Sequence, residues 1–209
     1  MLGVYGGTFN PVHYGHLRTA FEVKEFFRLH EIRLIPCRIP AHREAPAVSA
    51  ELRLQMLQLA IADLPGWIAD RRELDRSGPS YMVDTLASLR DEFPEQAIVL
   101  FMGADAFEGI ESWHRWADLF LFAHVVVMTR PGYQTGRLSS ALASKITDDA
   151  DRLRSTRKGA LYFHNVTPLA ISSSKIRQLI AAGCEPKFLM PDEVIQAIYQ
   201  HNLYQQTGL

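Results

Sequence analysis

Two groups of chemically capable side chains stand near opposite ends of this 209-residue chain. The first, Gly6-Gly7-Thr8-Phe9-Asn10-Pro11-Val12-His13-Tyr14-Gly15-His16, directly follows a short apolar run, Leu2–Tyr5. Paired glycines let a backbone turn sharply and come close to a ligand. A helix that begins there offers unpaired N–H groups and a positive dipole end to an anion. His13 and His16 are three apart at that helix start, a spacing that puts both on one face at about 5–6 Å between Cβ atoms. Two imidazoles so placed can serve one polyphosphate. The second group is Ile171-Ser172-Ser173-Ser174-Lys175-Ile176-Arg177. Ser172 is a natural N-cap. Ser173 and Ser174 add hydroxyl and backbone donors, and Arg177, about one turn on, is a planar, always-charged phosphate clamp.

Other chemistries fit these residues less well. No GxxxxGK[ST] occurs, and Gly3, Gly6 and Gly7 do not make GxGxxG. A zinc site at His13 and His16 needs a third ligand; His42 is the nearest candidate and no HExxH supports it. Ser172-x-x-Lys175 matches the SxxK of penicillin-recognising enzymes, but their S-D-N and K-T-G partners are missing. No G-x-S-x-G elbow or assignable triad is present. The expectation is an anion site with no metal held by protein ligands.

The elements that must carry these groups alternate between strand and helix periods. Strands are expected at Leu2–Tyr5, Glu31–Pro36, Trp67–Leu74, Ala97–Met102, His124–Thr129 and Ala160–His164. Helices are expected at about 15–27, 50–63 with Ser49 as N-cap, 81–93, 108–122, 137–146, 172–182 and 191–201. Asp148–Lys158 reads as a solvated loop whose Arg152, Arg154, Arg157 and Lys158 face water. Such alternation predicts an α/β fold: a doubly wound, mostly parallel sheet with helices on both faces and a small C-terminal helical portion. At about 150 residues per domain, one domain over 1–209 is expected, with 165–209 as its C-terminal helical subregion.

Composition narrows the partners. Lys and Arg number 22 against 23 Asp and Glu, a formal charge of −1, so no global positive field draws in nucleic acid or a membrane surface. Cys37 and Cys184 form no CxxC, which fits a reducing cytoplasm. The opening MLGVYGGTF lacks a basic segment and a long apolar core, so no secretory signal is expected. No apolar run approaches the ~20 residues of a membrane span.

GGTFNPVHYGH resembles the [HT]xGH motif of the nucleotidylyltransferase superfamily and, more narrowly, the GGTFDPxHxGH of the bacterial nicotinate-mononucleotide adenylyltransferases, with Asn10 in place of Asp. ISSSKIR resembles that family's ISS[ST]xxR, with Ser174 where Thr is common. Pro40-Ala41-His42-Arg43 resembles its PxHK loop. Tyr81–Leu86 resembles its DTL helix start, Phe101–Asp105 its strand ending GxD, Ser112–Trp116 its SWxxW, and Arg130-Pro131-Gly132 its RPG. The resemblance runs in order along nearly the whole chain.

It implies a Rossmann-like nucleotidyltransferase fold and transfer of AMP from ATP to nicotinate mononucleotide in NAD biosynthesis. His16, His13 and Arg177 would be catalytic. ATP would contact Gly7, Thr8, Phe9, His13, His16, Arg43, Gly103, Asp105, Ile171, Ser172, Ser173, Ser174 and Arg177. The mononucleotide would contact Gly6, Tyr81, Asp84, Thr85, Trp116 and Arg130, with Trp116 stacked on the pyridine ring and Trp113 in packing. Mg²⁺ would arrive with ATP, and a homo-oligomer is left open. The competing readings are an adenylyltransferase for nicotinamide mononucleotide or another phosphorylated acceptor, and a non-catalytic nucleotide-binding module. The HIGH element of class I aminoacyl-tRNA synthetases also resembles His13–His16, but the chain has no room for an anticodon-binding domain.

Overall fold

The computed structural model describes residues 1–40 and 46–205. Six strands form one all-parallel sheet: β1 (Leu2–Gly7), β2 (Glu31–Pro36), β3 (Trp67–Ala69), β4 (Ile98–Gly103), β5 (His124–Thr129) and β6 (Leu161–Asn165). Their order is β3-β2-β1-β4-β5-β6. The order reverses between β1 and β4, paired in parallel from Leu2 opposite Ile98. In such sheets the crevice beyond the carboxyl ends of the strands at this reversal is where ligands bind.

The sheet is buried on both faces because its strands alternate between two apolar clusters. Val99 and Phe101 face one, with Leu17 and Phe27 of α1 (Tyr14–Phe27) and Met56 and Leu57 of α2 (Ala50–Ala60). Ile98, Leu100 and Met102 face the other, with Leu86 and Leu89 of α4 (Met82–Glu92). The helices α9 (Ser173–Ala181) and α10 (Asp192–Gln200) join the first cluster through Ile176, Ile180, Val194 and Ile198. These two helices are thereby brought onto the face that carries α1.

Four expectations are corrected. The strand expected to reach Leu74 ends at Ala69, because the Asp70 carboxylate accepts the Arg72 N–H at 2.9 Å and starts the short helix α3 (Arg72–Asp75). The helix expected over 108–122 is broken into pieces. They are α5 (Ala104–Glu108), single 3₁₀ turns at Ile110–Ser112 and Trp116–Asp118, and α6 (Leu119–Phe122). Trp113 is extended (φ −73°, ψ 146°) and Arg115 is left-handed (φ 51°, ψ 40°), so no helix passes through them. The helix near 137–146 shrinks to α7 (Ser140–Ala143), capped by Ser139. The loop expected at 148–158 holds α8 (Ala150–Ser155), whose cap Asp149 accepts the Asp151 N–H at 2.9 Å. Its arginines are tied to the body: Arg154 bonds Asp151 and, at 2.8 Å, the Phe26 carbonyl. Arg157 pairs with Glu95 at 2.9 Å. Ser49 caps α2 as expected, accepting from the Leu52 N–H.

Candidate active site

A cleft of about 1410 Å³ opens at the reversal point. Its floor is the β1–α1 turn, and the distal serine cluster forms the wall above it. Ser173 donates its hydroxyl to the Pro11 carbonyl at 2.9 Å. Arg177 donates to the Asn10 carbonyl at 2.8 Å and to the Ser174 hydroxyl at 3.3 Å. A Cβ added to Gly15 would stand 3.3 Å from the Ile171 carbonyl oxygen and 2.9 Å from the His13 ring. Only a glycine leaves the two segments this close. Ser172 caps α9 by accepting the Lys175 N–H at 3.3 Å.

His13 is not within the helix: it is the N-cap of α1, in extended backbone. Its ring stacks on that of His16 with centroids 3.8 Å apart. Both rings line the cleft, and both Nδ1 atoms are buried without a partner among the described residues. Buried polar atoms are almost always satisfied, so two orphans side by side point to a missing ligand. Burial pushes His13 down to about 4. It also holds His16 well below the ordinary histidine value, with repulsion from His13 adding to the effect. Both imidazoles are therefore neutral at neutral pH until an anion arrives to favour their charged forms.

Most of the residues expected from sequence come together here. Gly6, Gly7, Thr8, Phe9, His13, His16, Gly103, Asp105, Tyr81, Arg130, Ile171, Ser172, Ser173, Ser174 and Arg177 all line the cleft. Arg43 and His42 lie outside the described residues. Asp84, Thr85 and Trp116 are not on the cleft wall. Thr85 is fully buried; its hydroxyl donates to Glu73 at 2.6 Å and accepts from Arg76 at 3.1 Å. The Asp84 N–H turns back to the Tyr81 carbonyl. Among the described residues the N–H groups of Met82 and Val83 at the α4 N-terminus have no hydrogen-bond partner, and both residues line the cleft. Trp116 packs against the second apolar cluster, as Trp113 does in part. Of the two, Trp113 reaches the cleft, beside His114, whose ring lies 4.4 Å from that of Tyr81.

Among the cleft residues that sequence reasoning gave no role are Tyr5, Glu73, Asn10 and Tyr204. Tyr5 follows Leu2 and Val4 on β1 and, by strand alternation, faces the opposite side. Its ring contacts Phe9, His16 and Phe101, and burial pushes its hydroxyl up to about 12. The alternation was available as a signal. Glu73 is buried, and burial lifts its carboxyl above the usual range against the bonds from Thr85 and Ser80. Asn10 accepts from the Tyr204 hydroxyl at 2.6 Å. Tyr204, raised by burial, comes from 194 positions along the chain, and nothing local in the sequence marks it.

An open parallel sheet with a crevice of imidazole, hydroxyl and guanidinium groups at its reversal point is the architecture of the nucleotide-binding α/β proteins. Comparison with known proteins narrows this class. The family described as cytidylyltransferase-like matches residues 4–179. A Methylococcus capsulatus protein named "Probable nicotinate-nucleotide adenylyltransferase" is 46% identical over 208 residues, covering 98% of this chain and 99% of that protein. A Halorhodospira halophila protein of the same name is 45% identical, covering 97% and 94%. Among solved structures, Plasmodium falciparum nicotinic acid mononucleotide adenylyltransferase complexed with NaAD superposes with a TM-score of 0.73. It covers 97% of this chain and 96% of its own, at 19% identity, and so speaks for the fold. The chain belongs to the cytidylyltransferase-like family and, within it, to the nicotinate-nucleotide adenylyltransferases.

Proposed function

We propose that this protein transfers the adenylyl group of ATP to nicotinate mononucleotide, giving nicotinate adenine dinucleotide and pyrophosphate. The observation that carries the reading is the meeting of the two distant motifs over one pair of unpartnered histidines. An oxygen of the mononucleotide 5′-phosphate attacks the α-phosphorus of ATP in line. The bond from that phosphorus to the bridging oxygen breaks, and pyrophosphate carries away the electron pair. Such transfers need positioning and charge neutralisation more than covalent help.

In this reading His16 meets the α-phosphate, where charge builds in the transition state. His13 and Arg177 hold the phosphates that leave, assisted by Ser173 and Ser174. Gly103 lets the nucleoside approach the end of β4, and Asp105 accepts from ribose hydroxyls. The Met82 and Val83 N–H groups suit a ring carboxylate, with Tyr81, Trp113 and His114 around the ring. The donors facing the polyphosphate are imidazole, hydroxyl and guanidinium. They suit phosphate oxygens rather than a bare hard cation, so Mg²⁺ would arrive bound to the ATP phosphates as part of the substrate. Among the described residues no helix is long and apolar enough to cross a membrane; together with the charge balance, this supports work on small nucleotides in the cytoplasm.

The test is product analysis with ATP and Mg²⁺ plus either nicotinate or nicotinamide mononucleotide. Nicotinate mononucleotide should give the dinucleotide and one equivalent of pyrophosphate, with higher kcat/KM than the amide. Preference for the amide would redirect the acceptor assignment. ATP binding without pyrophosphate release from either acceptor would leave a binding module.

A further inference from the structure

Among the described residues Arg53 is the largest fully buried side chain, 1% exposed. An arginine so deeply buried is expected to have a carboxylate beside it. This one has none among its described partners. Its Nη1 donates to the Thr8 carbonyl at 2.7 Å and its Nη2 to the Cys37 carbonyl at 2.7 Å. Longer bonds run to the Arg38 and Val48 carbonyls, each at 3.4 Å, and Nη1 lies 4.0 Å from the Cys37 sulfur. The guanidinium thus sits behind the turn that follows β1, joined to the segment that follows β2.

The Thr8 bond has a consequence for the peptide it touches. A trans peptide holds its C=O and N–H on opposite sides. With the Thr8 carbonyl drawn inward to Arg53, the Phe9 N–H faces away from the guanidinium, on the side where Thr8, Phe9 and Asn10 line the cleft. That N–H has no hydrogen-bond partner among the described residues. Phe9 also lies at φ 47°, a left-handed conformation that a bulky residue keeps only when its surroundings impose it. It is pinned on both sides, by Arg53 at Thr8 and by Arg177 at the Asn10 carbonyl. N–H groups exposed by a left-handed residue in a turn make anion-binding concavities.

We propose that Arg53 is the positioning residue of the phosphate-binding turn, its buried guanidinium fixing the Thr8–Phe9 peptide so that the Phe9 N–H is presented to a phosphate oxygen. The assignment rests on the adenylyl-transfer reading of this cleft. Its positive charge, with no carboxylate among its hydrogen-bond partners in the described residues, also lies behind the site that a polyphosphate would enter.

Arg90 provides an internal control. It too is bonded to carbonyls, including Phe122 at 2.6 Å and Gln96 at 2.7 Å, but none of its partners lines the cleft. The full-length wild type, Arg53→Lys and Arg90→Lys are compared by thermal melting, by titration with inorganic tripolyphosphate, and by KM and kcat for ATP and the mononucleotide. Arg53→Lys should bind tripolyphosphate at least tenfold more weakly and raise the KM for ATP similarly, with the mononucleotide KM within twofold. Arg90→Lys should lower the melting temperature and leave both affinities within twofold. Tripolyphosphate binding by Arg53→Lys within twofold of wild type overturns the proposal, as does an equal loss for ATP and mononucleotide. If Arg53→Lys does not fold, amide exchange in the wild type decides: tripolyphosphate should slow exchange of the Phe9 N–H, and an unchanged rate refutes the assignment. A wild type that ignores tripolyphosphate altogether removes the ATP-site reading itself, an outcome distinct from failure of Arg53 alone.

Discussion

His13 and His16 show how burial prepares a pair of side chains for an anion. Each ring is neutral because the interior disfavours its charge, and each keeps a nitrogen without a partner. The same depression makes folding depend on pH. The folded His13 titrates at about 4 against 6.5 for its ordinary value, so between those values the unfolded chain binds more protons. Stability is complete above about pH 6.5 and is lost as pH falls toward 4. For His13 the loss between pH 7.5 and 4.5 should be about 2 kcal/mol. Urea melts of wild type and His13→Gln at the two pH values isolate it, since the carboxylates titrate in both proteins. Equal losses would show that His13 does not carry this linkage. Binding of a polyphosphate should reverse the depression and take up protons, so ATP affinity should weaken as pH rises.

At the scale of elements, the strands were the most legible part of the chain. β2 and β5 run over the residues expected of them: β5 is buried along its whole length and leaves a nearly continuous apolar run, whereas β2 alternates, with Ile32 and Leu34 buried and Glu31 and Arg33 only partly so. The segment between β4 and β5 was not. Its Trp and Phe residues fit a helical period, but an extended Trp113 and a left-handed Arg115 break that phase. In the broken segment Trp113 lines the cleft and Trp116 does not, whereas the SWxxW resemblance implied that Trp116 stacks on the ring. Trp113→Ala should raise the mononucleotide KM about tenfold and Trp116→Ala less than threefold, the scale of one lost stacking partner. The opposite ranking in steady-state kinetics would restore the assignment of Trp116 that the resemblance implied. The motif residues of the two site segments were readable because each lies at a helix start with a local signature. Thr85 was misjudged because its bond to Glu73 spans twelve residues, and Tyr204 escaped because its partner Asn10 lies across the whole chain.

Taken as a whole molecule, the chain folds its last helices onto its first, and one wall of the cleft forms where they meet. Nothing in the short-range pattern dictated that meeting; it follows from α9 and α10 sharing an apolar cluster with α1 and α2. Among the described residues no group of three or more His, Cys, Asp or Glu is placed to hold a metal ion, and the proposed reaction takes Mg²⁺ with its ATP. Chelation with EDTA should abolish turnover of ATP and leave the melting temperature within about one degree. A melting temperature that drops on chelation would indicate a structural ion.

The central claim is that residues from both ends of the chain act on one triphosphate. Steady-state kinetics of His16→Ala and Arg177→Ala with varied ATP at saturating mononucleotide tests it most directly. Each substitution should lower kcat/KM for ATP by roughly 10²-fold or more, with the mononucleotide KM within about threefold of wild type. An Arg177→Ala enzyme with wild-type kcat/KM for ATP, or one whose loss falls on the mononucleotide, would contradict it.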